Sequence, residues 1–279
     1  MKIFFKKLYN QLVSGLAKIV IPISFIVAYF FYTYVLGDPQ NFEGNIVGGQ
    51  PLPNNYFGII YKGGFIVIIF LAFALILITF VVERLLVLSI ARGKGNINEF
   101  IIQIKNLLDN KDTKKAIELC EKQKGTVANV LKSALLTYSE VDDDPDMFKD
   151  QKIASIQKNL SETSNLELSI LENNLIIIST LSTIATLYGL LGTVTGIIKS
   201  FAALARVGAP DAVGLANGIS EALTTTAMGI VISSFAVIFY NFFTNKIHAI
   251  SHKIDEAEMV IVNAFNRNYK QKSEKINLK

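Results

Sequence analysis

The sequence predicts an all-α, multi-pass membrane protein with four transmembrane helices, two of them long and extended into the cytoplasm. Only 18% of the 279 residues are charged, whereas an average soluble domain has about a quarter. The deficit comes from four windows without any charge, of 19, 20, 26 and 24 residues. About 20 apolar residues are needed to cross the hydrocarbon core as a helix. The windows lie at 19–37, 63–82, 173–198 and 222–245.

The first window could be mistaken for a cleavable signal peptide, because Lys2, Lys6 and Lys7 precede it. Its apolar stretch is longer than the roughly 7–15 residues of a signal core, and no clear small-x-small cleavage site follows it. We therefore expect it to be retained as an anchor. Since backbone groups in lipid must be hydrogen-bonded within the segment, helix is the predicted conformation of all four windows.

Basic residues predict the orientation of the spans. The segment 84–171 contains thirteen lysines and arginines and the tail after Asn245 contains seven, whereas 37–61 contains none and 201–212 contains only Arg206. Loops on the cytoplasmic side carry an excess of Lys and Arg. Both termini and the large loop are therefore expected in the cytoplasm.

The predicted organisation follows from the spans and this orientation. It comprises a cytoplasmic tail with an extra N-terminal transmembrane helix (1–37), a periplasmic loop (38–61), a second transmembrane helix (62–85), a cytoplasmic helical domain (86–171), a third transmembrane helix (172–204), a periplasmic turn (205–212), a fourth transmembrane helix (213–245) and a cytoplasmic C-terminal helix (246–279).

Apolar periodicity predicts helices outside the spans. Three are expected in the large loop: 97–108, one that opens at Asp112-Thr113 and runs through Cys120, and 127–138. No proline occurs from 148 until Pro210, so 148–203 is predicted as one very long helix. The fourth span is expected to continue into the tail, because apolar residues keep helical spacing there: Ile247, Ile250, Ile254, Val260 and Ile261.

Spans three and four each carry a stripe of small and hydroxyl residues at helical spacing. The stripes consist of Ser182, Thr186, Gly189, Thr193, Gly196 and Ser200 on span three, and of Ala222, Thr226, Gly229 and Ser233 on span four. Small residues let helices approach closely in lipid, which favours packing. A hydroxyl-lined path for a small ion, or a docking surface for another helix, is the alternative, and spacing leaves both open.

Glu221 stands at the head of span four, directly before Ala222. A charged group near the bilayer centre costs several kcal/mol, with estimates from about 2.5 upward, and much less at the interface. The residue is therefore either a functional acid or a polar cap of the helix. Lys199 on span three could lie at a similar depth and pair with it.

Two segments of these spans resemble the ExbB/TolQ family of proton-channel proteins, relatives of the flagellar stator subunit MotA. Residues 188–201 (YGLLGTVTGIIKSF) are similar to the family's LLGTVxGI..SF span, and residues 218–230 (GISEALTTTAMGI) to its GIxEALxxTAxG span. The flanks at 171–175 and at Tyr240-Asn241 also fit. The resemblance is clear over about 160–248 and plausible back to 63.

This resemblance implies a ring of five copies whose long helices surround a pore in the bacterial inner membrane. Two copies of an ExbD/TolR-like single-span protein would enter the ring, each with a membrane aspartate that takes up and releases protons. Thr193 and Thr226 would face the pore and Glu221 would be the functional glutamate, with the remaining stripe residues lining it. A TonB-like or TolA-like protein would receive the energy.

Several positions depart from the family pattern. Thr186 stands near the place of a frequent proline, Asn217 replaces another, Thr195 replaces a frequent tryptophan, and the first span is an extra helix. A stator-type subunit that drives rotation and a non-conducting scaffold for partner helices therefore stay as alternatives.

Other function classes have little support. No nucleophile–base constellation of an enzyme appears at catalytic spacing, and no basic stripe interleaved with aromatics indicates a nucleic-acid partner. No cofactor or metal is predicted, since His248 and His252 have only Asp255 and Glu256 nearby. The one cysteine, Cys120, excludes an internal disulfide.

Overall fold

A computed structural model describes the backbone of residues 2–144, 146–205, 209 and 211–277, and within these ranges the side chains of 15–142, 144, 146–205, 209 and 211–270. The predicted orientation of the spans rests partly on the basic residues at positions 2, 6, 7 and 206. The side chains of these four residues lie outside the described part of the structure. The chain divides into two compact units, Met1–Glu83 with Asn174–Phe242, and Arg84–Asn173 with Phe243–Lys279.

Nine α-helices account for most of the described residues, and the described part contains no strand beyond one isolated bridge between Phe42 and Pro51. They are α1 (Lys2–Phe31), α2 (Tyr56–Tyr61), α3 (Phe65–Ala91), α4 (Ile97–Asp109), α5 (Thr113–Gln123), α6 (Gly125–Asp143), α7 (Lys149–Glu172), α8 (Leu175–Leu204) and α9 (Ala212–Asn277). The all-α fold class is confirmed.

Four helical segments are long and apolar enough to cross a membrane, as predicted. They are Gly15–Leu36, Phe65–Ala91, Leu175–Leu204 and Ala212–Lys270. The fourth is part of the 66-residue helix α9, whose continuation buries Ile247, Ile254 and Ile261, so the predicted extension of span four is confirmed.

The prediction of one long helix over 148–203 is wrong. Helix α7 ends at Glu172 and α8 begins at Leu175, because Asn173 leaves the helical region and Asn174 has a φ of 63°. Asparagine tolerates this left-handed conformation better than most residues. The absence of proline was therefore not sufficient evidence for an unbroken helix.

In the first unit, helices α1, α3, α8 and α9 pack through small residues and aromatic rings. Ala28 of α1 and Ala72 of α3 are completely buried in one apolar cluster. The ring of Phe73 on α3 meets that of Tyr188 on α8 edge to face, with 5.6 Å between centroids. These contacts fix span three beside span two.

The 38–61 segment is predicted as an irregular loop, and most of it is irregular. It differs from the prediction in ending with the short helix α2, which Asn55 caps by accepting hydrogen bonds from the backbone of Phe57 and Gly58. Asn41 is buried and donates to the carbonyl of Val35 at 2.8 Å, while its own oxygen accepts from Asn55 at 3.0 Å. The loop is therefore anchored to the end of the first span.

The second unit is a helical bundle formed by α4 to α7 with the ends of α3 and α9. The predicted helices of the large loop are confirmed, and Asp112 caps α5 through the backbone N–H of Lys115 at 3.1 Å. On α9, the Asn268 amide donates to the carbonyl of Leu108 at 2.9 Å and to the hydroxyl of Tyr138 at 3.1 Å. These bonds join α4, α6 and α9 around the buried ring of Phe265.

Candidate functional site

Helices α8 and α9 approach each other closely along a seam of glycines. A Cβ atom placed on Gly229 would lie 2.7 Å from the carbonyl oxygen of Ala185, and one on Gly196 would lie 2.6 Å from that of Gly218. Real Cβ atoms are not found at such distances from backbone. The predicted small residues thus let the two backbones touch, as packing in lipid requires.

The structure divides the two predicted stripes. Gly189, Gly196, Ser200, Ala222 and Gly229 are buried in the seam, whereas Ser182, Thr193, Thr226 and Ser233 are half-buried. The Ser233 hydroxyl donates to the carbonyl of Ser182, so this pair also joins the helices. Thr186 is exposed and is not brought together with the others. Most of the stripe is therefore a helix–helix contact, with hydroxyl groups left at its edge.

The hydroxyls of Thr193 and Thr226 are in direct hydrogen-bond contact across the seam. Each has a further acceptor: the carbonyl of Gly189 lies 3.2 Å from both hydroxyl oxygens, and that of Ala222 lies 2.9 Å from Thr226 Oγ1. A hydroxyl has one proton to donate and two lone pairs. Either threonine can therefore act as donor to the other while its partner donates to a carbonyl.

Glu221 and Lys199 form an ion pair between α9 and α8. The Lys199 ammonium lies 2.6 Å from Oε1 and 2.8 Å from Oε2 of Glu221, so the pairing anticipated from the sequence is confirmed. Glu221 is only 8% exposed. It precedes Thr226 by five residues, or about 7.5 Å along a helix. The ion pair therefore lies one to two turns from the threonine pair, toward the 205–212 connection.

Several residues of this region were not identified from the sequence. Thr225 is fully buried, its hydroxyl donates to the carbonyl of Glu221 at 2.8 Å, and it faces Gly192. Thr225 lies three residues after Ala222, so helical spacing could have placed it on the same face as Ala222. The contact of Gly64 with Glu221 had no signal in the sequence, because it joins distant segments.

No group of three or more His, Cys, Asp or Glu side chains that could hold a metal occurs among the residues with described positions. The polar groups at the seam are instead hydroxyls, one carboxylate and one ammonium. Such groups can solvate, donate and accept protons.

Comparison with known proteins gives one matching family model and several curated relatives. The sequence model of the MotA/TolQ/ExbB proton channel family matches residues 122–256. A putative biopolymer transport protein, ExbB-like 3 of Synechocystis sp., is 37% identical over 86 residues, which are 30% of this chain and 41% of that protein. The biopolymer transport protein ExbB of Pseudomonas putida is 34% identical over 86 residues, 31% of this chain and 26% of that protein.

A third relative is the Tol-Pal system protein TolQ of Pseudomonas aeruginosa, which is 30% identical over 120 residues, 43% of this chain and 52% of that protein. The chain thus spans between a quarter and about half of the length of these relatives. The family match contains both α8 and the α9 segment with Glu221 and Thr226. The resemblance noted in the sequence is confirmed: residues 122–256, just under half of the chain, match the MotA/TolQ/ExbB proton channel family.

Proposed function

We propose that this chain is the proton-channel subunit of an energy-transducing motor of the ExbB–ExbD or TolQ–TolR type in the bacterial inner membrane. It would couple the proton motive force to outer-membrane transport or to maintenance of the envelope. The observation that carries the proposal is the Thr193–Thr226 hydroxyl pair at the edge of the α8–α9 seam, one to two turns from Glu221.

The threonine pair suits a proton path because a hydroxyl can solvate a carboxyl group in either protonation state. In the proposed mechanism, an aspartate on a partner helix would exchange its proton next to Thr193 and Thr226. A proton that falls through about 100 mV releases roughly 2.3 kcal/mol, and the partner's movement would use this energy. Glu221 would be the fixed acidic group of the path.

The proposed assembly is a homopentamer in the lipid bilayer, with both termini in the cytoplasm and two ExbD/TolR-like chains inside the ring. A TonB-like or TolA-like protein would receive the movement. The exposed apolar side chains of α8 and α9, which include Leu187, Leu190, Leu223 and Ile230, support this proposal by leaving both helices with surface for neighbouring chains or lipid.

A non-conducting scaffold is the second candidate, and the burial of Gly189, Gly196 and Gly229 favours it. If the stripes serve only to pack the helices, the threonine hydroxyls would strengthen the seam without conducting. A stator subunit for rotation would use the same path with a flagellar-type partner, and the identity of that partner would distinguish it.

Proton flux into liposomes tests the proposal. The chain is reconstituted with its ExbD/TolR-like partner, a membrane potential is imposed, and the internal pH is followed. Thr226→Val and Thr193→Val keep the side-chain shape but remove the hydroxyl, and each should abolish the flux while the protein stays in the membrane. Thr180→Val is the matched control, because the Thr180 hydroxyl is exposed on α8 and donates only to its own helix, at Ile176 O.

The outcomes separate the candidates. Flux that is lost in the two seam variants and kept in Thr180→Val supports a channel. Full flux in Thr226→Val contradicts the proposed path, and no flux in the unmodified complex favours the scaffold. Native mass spectrometry of the same preparation should give five copies of this chain with two of the partner.

A further inference from the structure

The Glu221 carboxylate has two neighbours whose roles the proposed proton path leaves open. One is Lys199, whose ammonium contacts both carboxylate oxygens. The other is Gly64, in the turn between α2 and α3. The side chain of Glu221 is 11% exposed, whereas that of Lys199 is 59% exposed. The carboxylate is thus enclosed, and the lysine covers it from the outside.

Gly64 also lies against this carboxylate. A Cβ atom on Gly64 would lie 2.9 Å from Oε1 and 3.2 Å from Cδ of Glu221, and the residue has a φ of +71°. Glycine adopts this conformation without the steric penalty that other residues meet. The backbone of the turn therefore lies directly against the carboxylate.

The turn is fastened to its surroundings on two sides. The Lys62 ammonium donates to the carbonyl of Gly48 at 2.9 Å and to the side-chain oxygen of Asn217 at 3.1 Å. Asn217 precedes Glu221 by four residues and so lies one helical turn away on the same face. Helix α9 is thus held to the turn at two successive levels.

The first span contributes to the same turn. The rings of Tyr32 and Tyr61 stack with 4.6 Å between centroids, and the Tyr32 hydroxyl donates to the carbonyl of Tyr61 at 3.2 Å. Phe42 meets the Tyr61 ring edge to face at 5.3 Å. Tyr32 and Phe42 therefore hold Tyr61, the residue just before Lys62, in place.

Lys199 supplies the positive charge that stabilises the ionised Glu221 carboxylate. An ionised carboxylate in apolar surroundings is unfavourable unless a counter-charge or hydrogen-bond donors satisfy it. The Lys62 ammonium is already engaged by Gly48 and Asn217. Lys199 supplies two donors to Glu221, one for each oxygen.

We propose that Lys199 is a positioning residue for Glu221, which it holds against the Lys62–Gly64 turn at the connection end of the α8–α9 seam. The effect of Lys199 on proton flux rests on the proposed function. The position of the Glu221 carboxylate does not rest on the proposed function, and this position can be probed without measuring proton flux.

Carbodiimide labelling of Glu221 tests the proposal in the full-length protein in liposomes. Cleavage after Arg206 and Lys246 gives a peptide whose only acids are Asp211 and Glu221, so Asp211 is an internal reference. Lys199→Met, or Lys199→Gln if the first variant folds poorly, should raise labelling of Glu221 roughly three- to five-fold, as expected for a partly exposed ion pair. Lys199→Arg should stay near the unmodified level, because arginine also donates to both oxygens.

Lys18→Met is the matched control, since it removes an exposed charge from the opposite end of a span and should leave labelling unchanged. Unchanged labelling of Glu221 in Lys199→Met and in Lys199→Gln would overturn the proposal. An equal rise in Lys199→Arg would also overturn it, because the charge would then not be what holds the carboxylate. If the unmodified complex conducts no protons, the proposed function fails, while the labelling still decides the role of Lys199.

Discussion

Gly192 on α8 faces Thr225 on α9 with no room for a side chain between them. A Cβ atom on Gly192 would lie 2.5 Å from Cβ of Thr225, and Thr225 is completely buried. Neither residue can move aside easily, because the Thr225 hydroxyl is fixed by its bond to the carbonyl of Glu221. This contact brings the two helices close together one residue before the threonine pair on each helix.

Gly192→Ala is therefore expected to destabilise the packed helices. Inserting a methyl group into a well-packed contact typically costs about 1–3 kcal/mol, and the effect should appear as a lower midpoint of thermal unfolding in lipid or detergent. Gly15→Ala is the matched control, because a Cβ atom on Gly15 would meet nothing within 4 Å. Alanine there should be neutral or stabilising by up to about 1 kcal/mol. Equal midpoints for the two variants would contradict a tight seam.

The spacing of small residues was sufficient to predict one small-residue face on α8 and one on α9, because the face of a helix is a local property of its sequence. It left open whether those faces pack, line an ion path or dock another helix. It could not say which stripe residues are covered. Thr224, Thr225 and Thr226 are consecutive, and the burial of Thr225 with only partial burial of Thr226 depends on how the two helices are rotated. Thr186 follows the same spacing and is exposed.

The environment of Glu221 shows where prediction from sequence ends. Its pairing with Lys199 could be anticipated, since both residues stand near the connection between spans three and four. Its contact with Gly64 joins positions more than 150 residues apart and depends on the conformation of a turn. The break at Asn174 was missed for another reason, because two polar residues within a helical pattern do not by themselves end a helix.

Lys124 adopts a backbone conformation that favours glycine. It joins α5 to α6 with φ 58° and ψ −176°, and such a conformation costs a residue with a side chain about 1–3 kcal/mol. Lys124→Gly should therefore raise the free energy of unfolding, by about 0.5–2 kcal/mol after the greater flexibility of unfolded glycine is subtracted.

Lys122→Gly should change the free energy of unfolding in the opposite direction. Lys122 is exposed in the last turn of α5, where glycine should lower the stability by about 0.5–1 kcal/mol. Denaturant unfolding of the two variants beside the unmodified protein measures both effects. Destabilisation by Lys124→Gly would show that the side chain of Lys124 contributes more than the strained backbone costs.

The Cys120 thiol should be unreactive in the folded protein. Burial raises its pKa from 9.0 to about 12, and the thiolate is the reactive form. At pH 8, labelling by a maleimide should therefore be at least about a hundred-fold slower than that of an exposed thiol. Because the chain has one cysteine, the mass added reports on Cys120 alone, and denaturant should restore the ordinary rate.

The same pKa predicts how stability depends on pH. The unfolded thiol loses its proton near pH 9 while the folded thiol keeps it up to about pH 12, so the folded state binds more protons in this range and its stability falls as the pH rises. Below pH 9 both states are protonated and Cys120 adds no slope. Cys120→Ala removes this contribution, so the difference in unfolding free energy between it and the unmodified protein should shrink from pH 9 to 11. A difference that is constant over this range would mean that the thiol is ionised equally in both states.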